Sequence, residues 1–182
     1  MYSVNVTITG TEPGLLQHKF GAAVEAGLQN PVKRKDGNKY EPSEEAEAAC
    51  YRDGEGHLVQ PGEHIFQALI KAAGGFQIQG QGKKSYKDVI KGTVLVTPEY
   101  IRHKQDTYDI DQRPVRIMAA RIMRCRPWLK EWTLSFQLRV LEDRLLPLEV
   151  LHSIMVDVGE KVGIGDYRPR FGRFIVNRFE KA

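Results

Sequence analysis

Apolar Tyr2, Val4, Val6 and Ile8 alternate with polar Ser3, Asn5, Thr7 and Thr9 at the start of the chain, the two-residue period of a strand with one buried face. Residues 27–42, rich in Lys, Arg, Gly, Asn and Pro, predict a mobile loop, after which Ser43 is placed to cap a short helix with Glu44, Glu45 and Glu47 near its positive end. Pro61 and Gly62 open a second helix with Ile65, Ala68, Leu69 and Ala72 on one face. The Gln/Gly/Lys-rich stretch 77–87 has no apolar period and predicts an exposed segment, followed by a short strand over 93–97.

The strongest strand signal comes next. Val115, Ile117, Ala119, Met123 and Cys125 fall on one side of an extended chain, with Arg116, Arg124 and Arg126 on the other. Beyond Pro127, Trp132, Leu134, Phe136, Leu138 and Val140 alternate with Thr133, Ser135, Gln137 and Arg139, and the two runs are expected to pair as a hairpin. Pro147 suits the first turn of a helix striped by Leu148, Leu151, Met155, Val158 and Val162, and a last strand is expected over 173–179. The order β-α-β-β-α-β predicts one α+β domain over residues 1–182 with a ferredoxin-like arrangement. Thumb-like mobile excursions are expected near 27–42, 77–91 and 102–113, where low apolar content cannot offset the entropy of ordering.

Composition narrows the chemistry. No apolar run approaches the ~20 residues that span a bilayer, and the amino terminus lacks the basic-then-apolar order of a secretory signal, so a cytoplasmic protein without a membrane partner is expected. Cys50 and Cys125 form no C-x-x-C pair and have no histidine at zinc-ligand spacing; they are read as reduced thiols, with no structural metal and no cofactor. Net charge is +4 but uneven: residues 1–112 carry 13 Lys+Arg against 15 Asp+Glu, a balance of −2, which leaves +6 for residues 113–182. That local excess fits an anionic partner.

The basic half contains the most informative motif, V-G-I-G-D-Y-R-P-R-F-G-R-F-I-V over residues 162–176. Gly163, Gly165 and Gly172 alternate with Arg168, Arg170 and Arg173 and with Tyr167, Phe171 and Phe174. Glycine permits close backbone approach, guanidinium pairs with phosphate, and flat rings stack on bases. The dinucleotide fingerprint fails because Arg168 stands where its last glycine belongs and Pro169 follows; the P-loop fails because Gln81 replaces the lysine that should follow Gly80. The RNA-recognition aromatic strand is only partly matched by Arg170-Phe171-Gly172-Arg173-Phe174-Ile175, so Phe171 and Phe174 are read as core residues at least as readily as base platforms. The expected site comprises Arg168, Arg170, Arg173, Tyr167, Gly163 and Gly165, joined on one basic surface by Arg116, Arg124 and Arg126.

Three stretches, Val4 to Gly10, Val59-Gln60-Pro61-Gly62 with the helix it leads into, and the loop 163–173, resemble features of RAMP-superfamily proteins of CRISPR effector complexes, in particular their repeating backbone subunits. The resemblance implies a modified RNA-recognition fold that assembles side by side along single-stranded nucleic acid, with a β-hairpin thumb separating groups of bases. Backbone subunits of that family are often considerably larger than 182 residues, so a stand-alone relative from a phage or mobile element fits equally well. The expected function is an oligomerising binder of single-stranded nucleic acid, RNA favoured over DNA, without catalysis. Two alternatives stand beside it. One is a metal-dependent ribonuclease, since Asp109-x-Asp111 with Asp106 and His103 nearby puts carboxylates on a polar loop and acidic loops cut RNA in some members of that family. The other is a protein-binding assembly subunit that uses a sheet edge or the apolar helix faces.

Overall fold

The computed structural model describes residues 1–19, 41–117 and 120–182, and shows an α+β protein with mostly antiparallel sheets and few helices. In chain order the elements are β1 (Tyr2–Gly10), β2 (Leu15–Leu16), α1 (Pro42–Ala48), β3 (Val59–Pro61), α2 (Gly62–Ala73), α3 (Lys87–Thr93), β4 (Val94–Thr97), β5 (Tyr100–Arg102), β6 (Asp109–Ile117), β7 (Ala120–Leu129), β8 (Thr133–Val140), α4 (Leu148–Asp157) continued by a π-helical turn (Val158–Val162), and β9 (Phe174–Lys181). None of the described helices is long and apolar enough to cross a membrane.

The main sheet has the strand order β4-β8-β1-β9, and each neighbouring pair is antiparallel. The opening alternation behaves as its period demands: Val4, Val6 and Ile8 are buried beside Leu138, Phe136 and Leu134 of β8. On this face lie Ile65 and Leu69 of α2 and Leu151, Ile154 and Met155 of α4, all fully buried in one cluster with the sheet. At about 1.5–3 kcal/mol for each large apolar side chain removed from water, this layer supplies most of the driving force for folding.

The opposite face of the sheet is polar. Thr7 and Ser135 hydroxyls meet at 3.0 Å, Thr9 and Thr133 at 3.3 Å, and the Gln137 amide donates to Asn5 at 3.2 Å. Across all four strands the register brings only Leu95 and Ile175 as large apolar residues to this face, and no aromatic ring. This face therefore offers no aromatic ring on which a base could stack.

The expected hairpin is corrected. β8 pairs with β1 and β4, whereas β7 pairs with β6 from Asp109↔Trp128 to Ile117↔Ala120, and with β2 at Leu15↔Leu129. A single alternating run over 115–125 thus divides into two strands. Because Arg116 lies opposite Arg121 and Arg113 opposite Arg124, even positions of β6 share a face with odd positions of β7. Arg116 therefore projects from the other face to Arg124 and Arg126, and the three do not form one surface.

Pro42 occupies the first turn of α1 and Glu41 its N-cap position, so Ser43 is inside the helix. The expected loop over 27–42 lies outside the described residues except for Glu41 and Pro42, which begin α1. Exposed turns fill much of 77–86, but α3 takes up the end of that stretch and buries Ile90. Within 102–113, His103 and Asp111 are buried and β6 starts at Asp109.

His103 gives a pH prediction. It is 4 % exposed, neither ring nitrogen has a hydrogen-bond partner among the described residues, and burial pulls its pKa down to about 4. An unfolded chain protonates this histidine near pH ~6.5, so the native state is favoured fully above that value and loses about 3 kcal/mol as the pH falls through ~6.5 towards ~4. Urea unfolding at pH 7.5 and 4.5 should show His103→Leu losing markedly less stability on acidification than the wild type. Equal losses would assign the acid sensitivity to other groups.

Candidate functional site

The loop between the π-helical turn and β9 is fixed by its backbone. Asp166 N donates to Leu16 O at 2.8 Å, Gly172 N to Gly14 O at 2.8 Å, Ile164 N to Gly172 O at 3.0 Å, and Thr11 N to Arg173 O at 2.9 Å. These bonds press the loop onto β2 and the turn before it. Gly165, at φ +76°, sits where a Cβ would stand 2.5 Å from the Leu16 carbonyl, so close approach excludes any side chain there.

With its base pinned, the crest of the loop is presented to solvent. Arg168, Pro169, Arg170 and Arg173 are exposed, as is half of Tyr167, which itself takes a left-handed φ of +56°. Phe171 turns inward and is 2 % exposed, and Phe174 is equally buried in edge contact with Trp132. Among the described residues no carboxylate pairs with Arg168, Arg170 or Arg173; Arg173 only donates to the Pro169 carbonyl at 2.9 Å.

The inner arginines behave differently. Arg124 pairs with Glu45 at 3.0 Å, and Arg126 with Asp166 at 2.7 Å, both arginines largely shielded from solvent. Arg113 is held by the buried Asp111 carboxylate, which raises its pKa, and its guanidinium lies 4.8 Å from the Phe171 ring and 5.4 Å from that of Tyr167. These three tie the β6–β7 hairpin to α1 and to the loop. The expected group therefore divides: Arg168, Arg170, Arg173 and Tyr167 gather on the crest, Gly163 and Gly165 shape it, Arg124 and Arg126 brace it from behind, and Arg116 is exposed elsewhere on the hairpin.

A pocket of about 150 Å³ opens beside the crest, lined by His18, His64, Gln67, Gly165, Asp166 and Arg168. His64 is oriented on α2 by contact between its Nδ1 and the Gln60 side chain and by an edge-on Tyr51 ring at 5.4 Å. Gln60 in turn accepts from Gln17 at 3.2 Å, and both amides are fully buried. Burial lowers the His64 pKa, and the Arg168 cation lowers it further; desolvation also lowers that of His18. Both imidazoles are therefore neutral at pH 7. No sequence motif joins these histidines; the one local hint is His64 three residues before Gln67, adjacent on a helix surface.

The carboxylates of the alternative metal site are occupied individually. Asp106 Oδ1 accepts from Leu58 N at 3.1 Å, Asp109 pairs with Lys130 at 3.0 Å, and Asp111 is bound by Arg113. A compact group of possible ligands, Asp53, Glu55 and His57, is found instead on a surface turn away from the crest, and the Asp53 carboxylate there accepts the backbone N–H groups of Glu55 and His57.

No protein-family model matches the chain, and no curated protein matches it.

Proposed function

We propose that the protein binds single-stranded nucleic acid, RNA in preference to DNA, through the crest formed by Arg168, Arg170 and Arg173, and that copies assemble along the strand. The observation that carries this reading is the contrast in pairing: the arginines behind the loop each have a carboxylate, and the three on the crest have none among the described residues. Three guanidinium groups on a rigid loop, beside a half-exposed Tyr167, form a phosphate-binding edge with a ring next to it. The strand order β4-β8-β1-β9 with α2 and α4 on one face supports a ferredoxin-like reading of the main sheet, and the β6–β7 hairpin is the counterpart of a thumb.

Arg168→Ala provides the test. The variant should keep its unfolding midpoint, bind single-stranded RNA more weakly regardless of sequence, and lower the steepness of log affinity against log salt by about 0.7. A folded variant with unchanged affinity and slope would reduce the crest to a structural turn.

One observation favours a second reading. His18, His64 and Arg168 share a pocket, which brings two neutral imidazoles to a cation able to hold a phosphate. This set is suited to metal-independent phosphodiester cleavage, in which one imidazole takes the 2′-hydroxyl proton and the other, protonated beforehand, gives a proton to the leaving 5′-oxygen. Because both pKa values are lowered, activity should peak on the acid side of neutrality, persist in EDTA, leave 2′,3′-cyclic phosphate ends, spare DNA and vanish in His64→Ala. RNA left intact over pH 5–8 would leave binding alone.

A further inference from the structure

At the open end of the β6–β7 hairpin lies a second, larger cleft of about 400 Å³, lined by Gln105, Thr107, Tyr108, Asp109, Trp128, Lys130 and Glu131. This volume is within the ~300–1,000 Å³ usual for small-molecule sites. Its two aromatic walls are held in place. The Trp128 indole N–H donates to the Pro13 carbonyl at 2.7 Å, with the Lys130 ammonium 4.8 Å from the ring centre. The Tyr108 hydroxyl donates to the Glu47 carboxylate, and the Arg52 guanidinium lies 5.9 Å from its ring.

The polar lining sets two carboxylates, those of Asp109 and Glu131, against the single ammonium of Lys130. Lys130 is engaged by Asp109 at 3.0 Å, and Gln105 spends an amide N–H on the Glu131 carbonyl at 3.0 Å, leaving its own side-chain oxygen available. The Glu131 carboxylate and the second Asp109 oxygen add further acceptors. Two carboxylates repel phosphate, while fixed rings accept a flat heterocycle and acceptors reward an exocyclic amino group on its edge.

We infer that this cleft is a nucleobase subsite that selects an amino-bearing base, cytosine or adenine over uracil. The inference rests on the proposed nucleic-acid binding and places a base where that reading places only phosphates. The geometry joins the two sites: Asp109 and Trp128 share a face of the hairpin with Arg113, four residues or about 13 Å further along β6, and Arg113 lies over Tyr167 at the crest. Asp111 and Arg126 cover the strip between the two sites, so a strand bound at the crest would pass around that strip to bring a base to the cleft.

Three titrations test it. Cytidine, which carries no phosphate, should saturably quench tryptophan fluorescence, because Trp128 is partly exposed while the other tryptophan, Trp132, is buried; Trp128→Leu should abolish the response. Oligo(C) should bind about tenfold tighter than oligo(U) of equal length and phosphate number. Glu131→Gln, at an exposed position that leaves the Trp128 anchor intact, should erase most of that preference while the salt slope set by the crest arginines keeps its wild-type value. Absence of quenching by cytidine, or equal affinity for the two oligonucleotides, would overturn the inference whatever the crest does. Quenching by cytidine with no binding of either oligonucleotide would instead retain the cleft and refute binding through the crest.

Discussion

Replacing Arg168, Arg170 and Arg173 together with alanine should lower the affinity for single-stranded RNA by about a thousandfold at low salt. Each charge-assisted contact contributes on the order of 1.5 kcal/mol or more, and three such contacts amount to about 4.5 kcal/mol. The salt slope should fall by about 2, because single-stranded nucleic acid releases about 0.7 counterion per neutralised phosphate. Fluorescence anisotropy from 25 to 300 mM salt gives both quantities at once. Removing the crest arginines should leave the fold in place, since all three are exposed and take no carboxylate partner among the described residues. A loss of affinity without a change of slope would mean that the arginines act by shape and not by charge.

The largest effect on stability is expected from Gly172→Ala. Gly172 has φ +76°, and a Cβ there would stand 1.7 Å from the Ile164 carbonyl oxygen, a backbone atom held by the same turn. The left-handed conformation alone costs an alanine about 1–2 kcal/mol, and the collision requires the Ile164–Gly172 and Gly14–Gly172 hydrogen bonds to be rebuilt. A total of about 3–5 kcal/mol is expected, a fall in Tm on the order of 10 °C for a chain of this length. Gly80→Ala is the matched control: its φ is +78° but nothing lies within 4 Å of its added Cβ, so it should show the conformational cost alone. Equal Tm losses in the two variants would show that the loop yields to the collision. Gly172→Ala should also weaken RNA binding, because the crest arginines depend on this turn for their position.

The elements of the main sheet and its two helices were legible because each carries a period that burial enforces. The alternation in β1 and β8 and the stripes of Ile65, Ala68, Leu69 and Ala72 and of Leu151, Met155, Val158 and Val162 all form buried faces, with Leu148 at the start of the second stripe half-buried against the core. The observed hairpin differs from the expected one for a related reason. Val115, Met123 and Cys125 keep the parity of one uninterrupted strand, yet Ile117 pairs with Ala120 and the chain doubles back, and alternation carries no record of which strand lies alongside. The start of α1 carries two competing signals, since Pro42 suits the first helical turn as well as Ser43 suits a cap, and the fold takes the first.

The composition of the candidate site was visible in the loop sequence, and its division of labour was not. Arg113, Arg124, Arg126, Arg168, Arg170 and Arg173 look alike in one dimension; Asp111, Glu45 and Asp166 distinguish them, and Glu45 lies 79 residues from its partner. His18 and His64 reach a common pocket from separate segments, and Tyr108, just before β6, and Trp128, on β7, reach a common cleft.

By itself the sequence determined the local matters: where strands and helices form, which of their faces are apolar, that the C-terminal region is basic, and that glycines at 163, 165 and 172 allow a tight loop. Each of these depends on neighbours within a few residues, through backbone sterics and the period of side-chain direction. Only the tertiary structure decided which arginines are neutralised and which face solvent, because charge pairing acts through space between segments whose separation is set by strand register. The pairing of β6 with β7 turned Arg116 away from Arg124 and Arg126, those two are committed to carboxylates, and the arginines of the loop crest have none among the described residues.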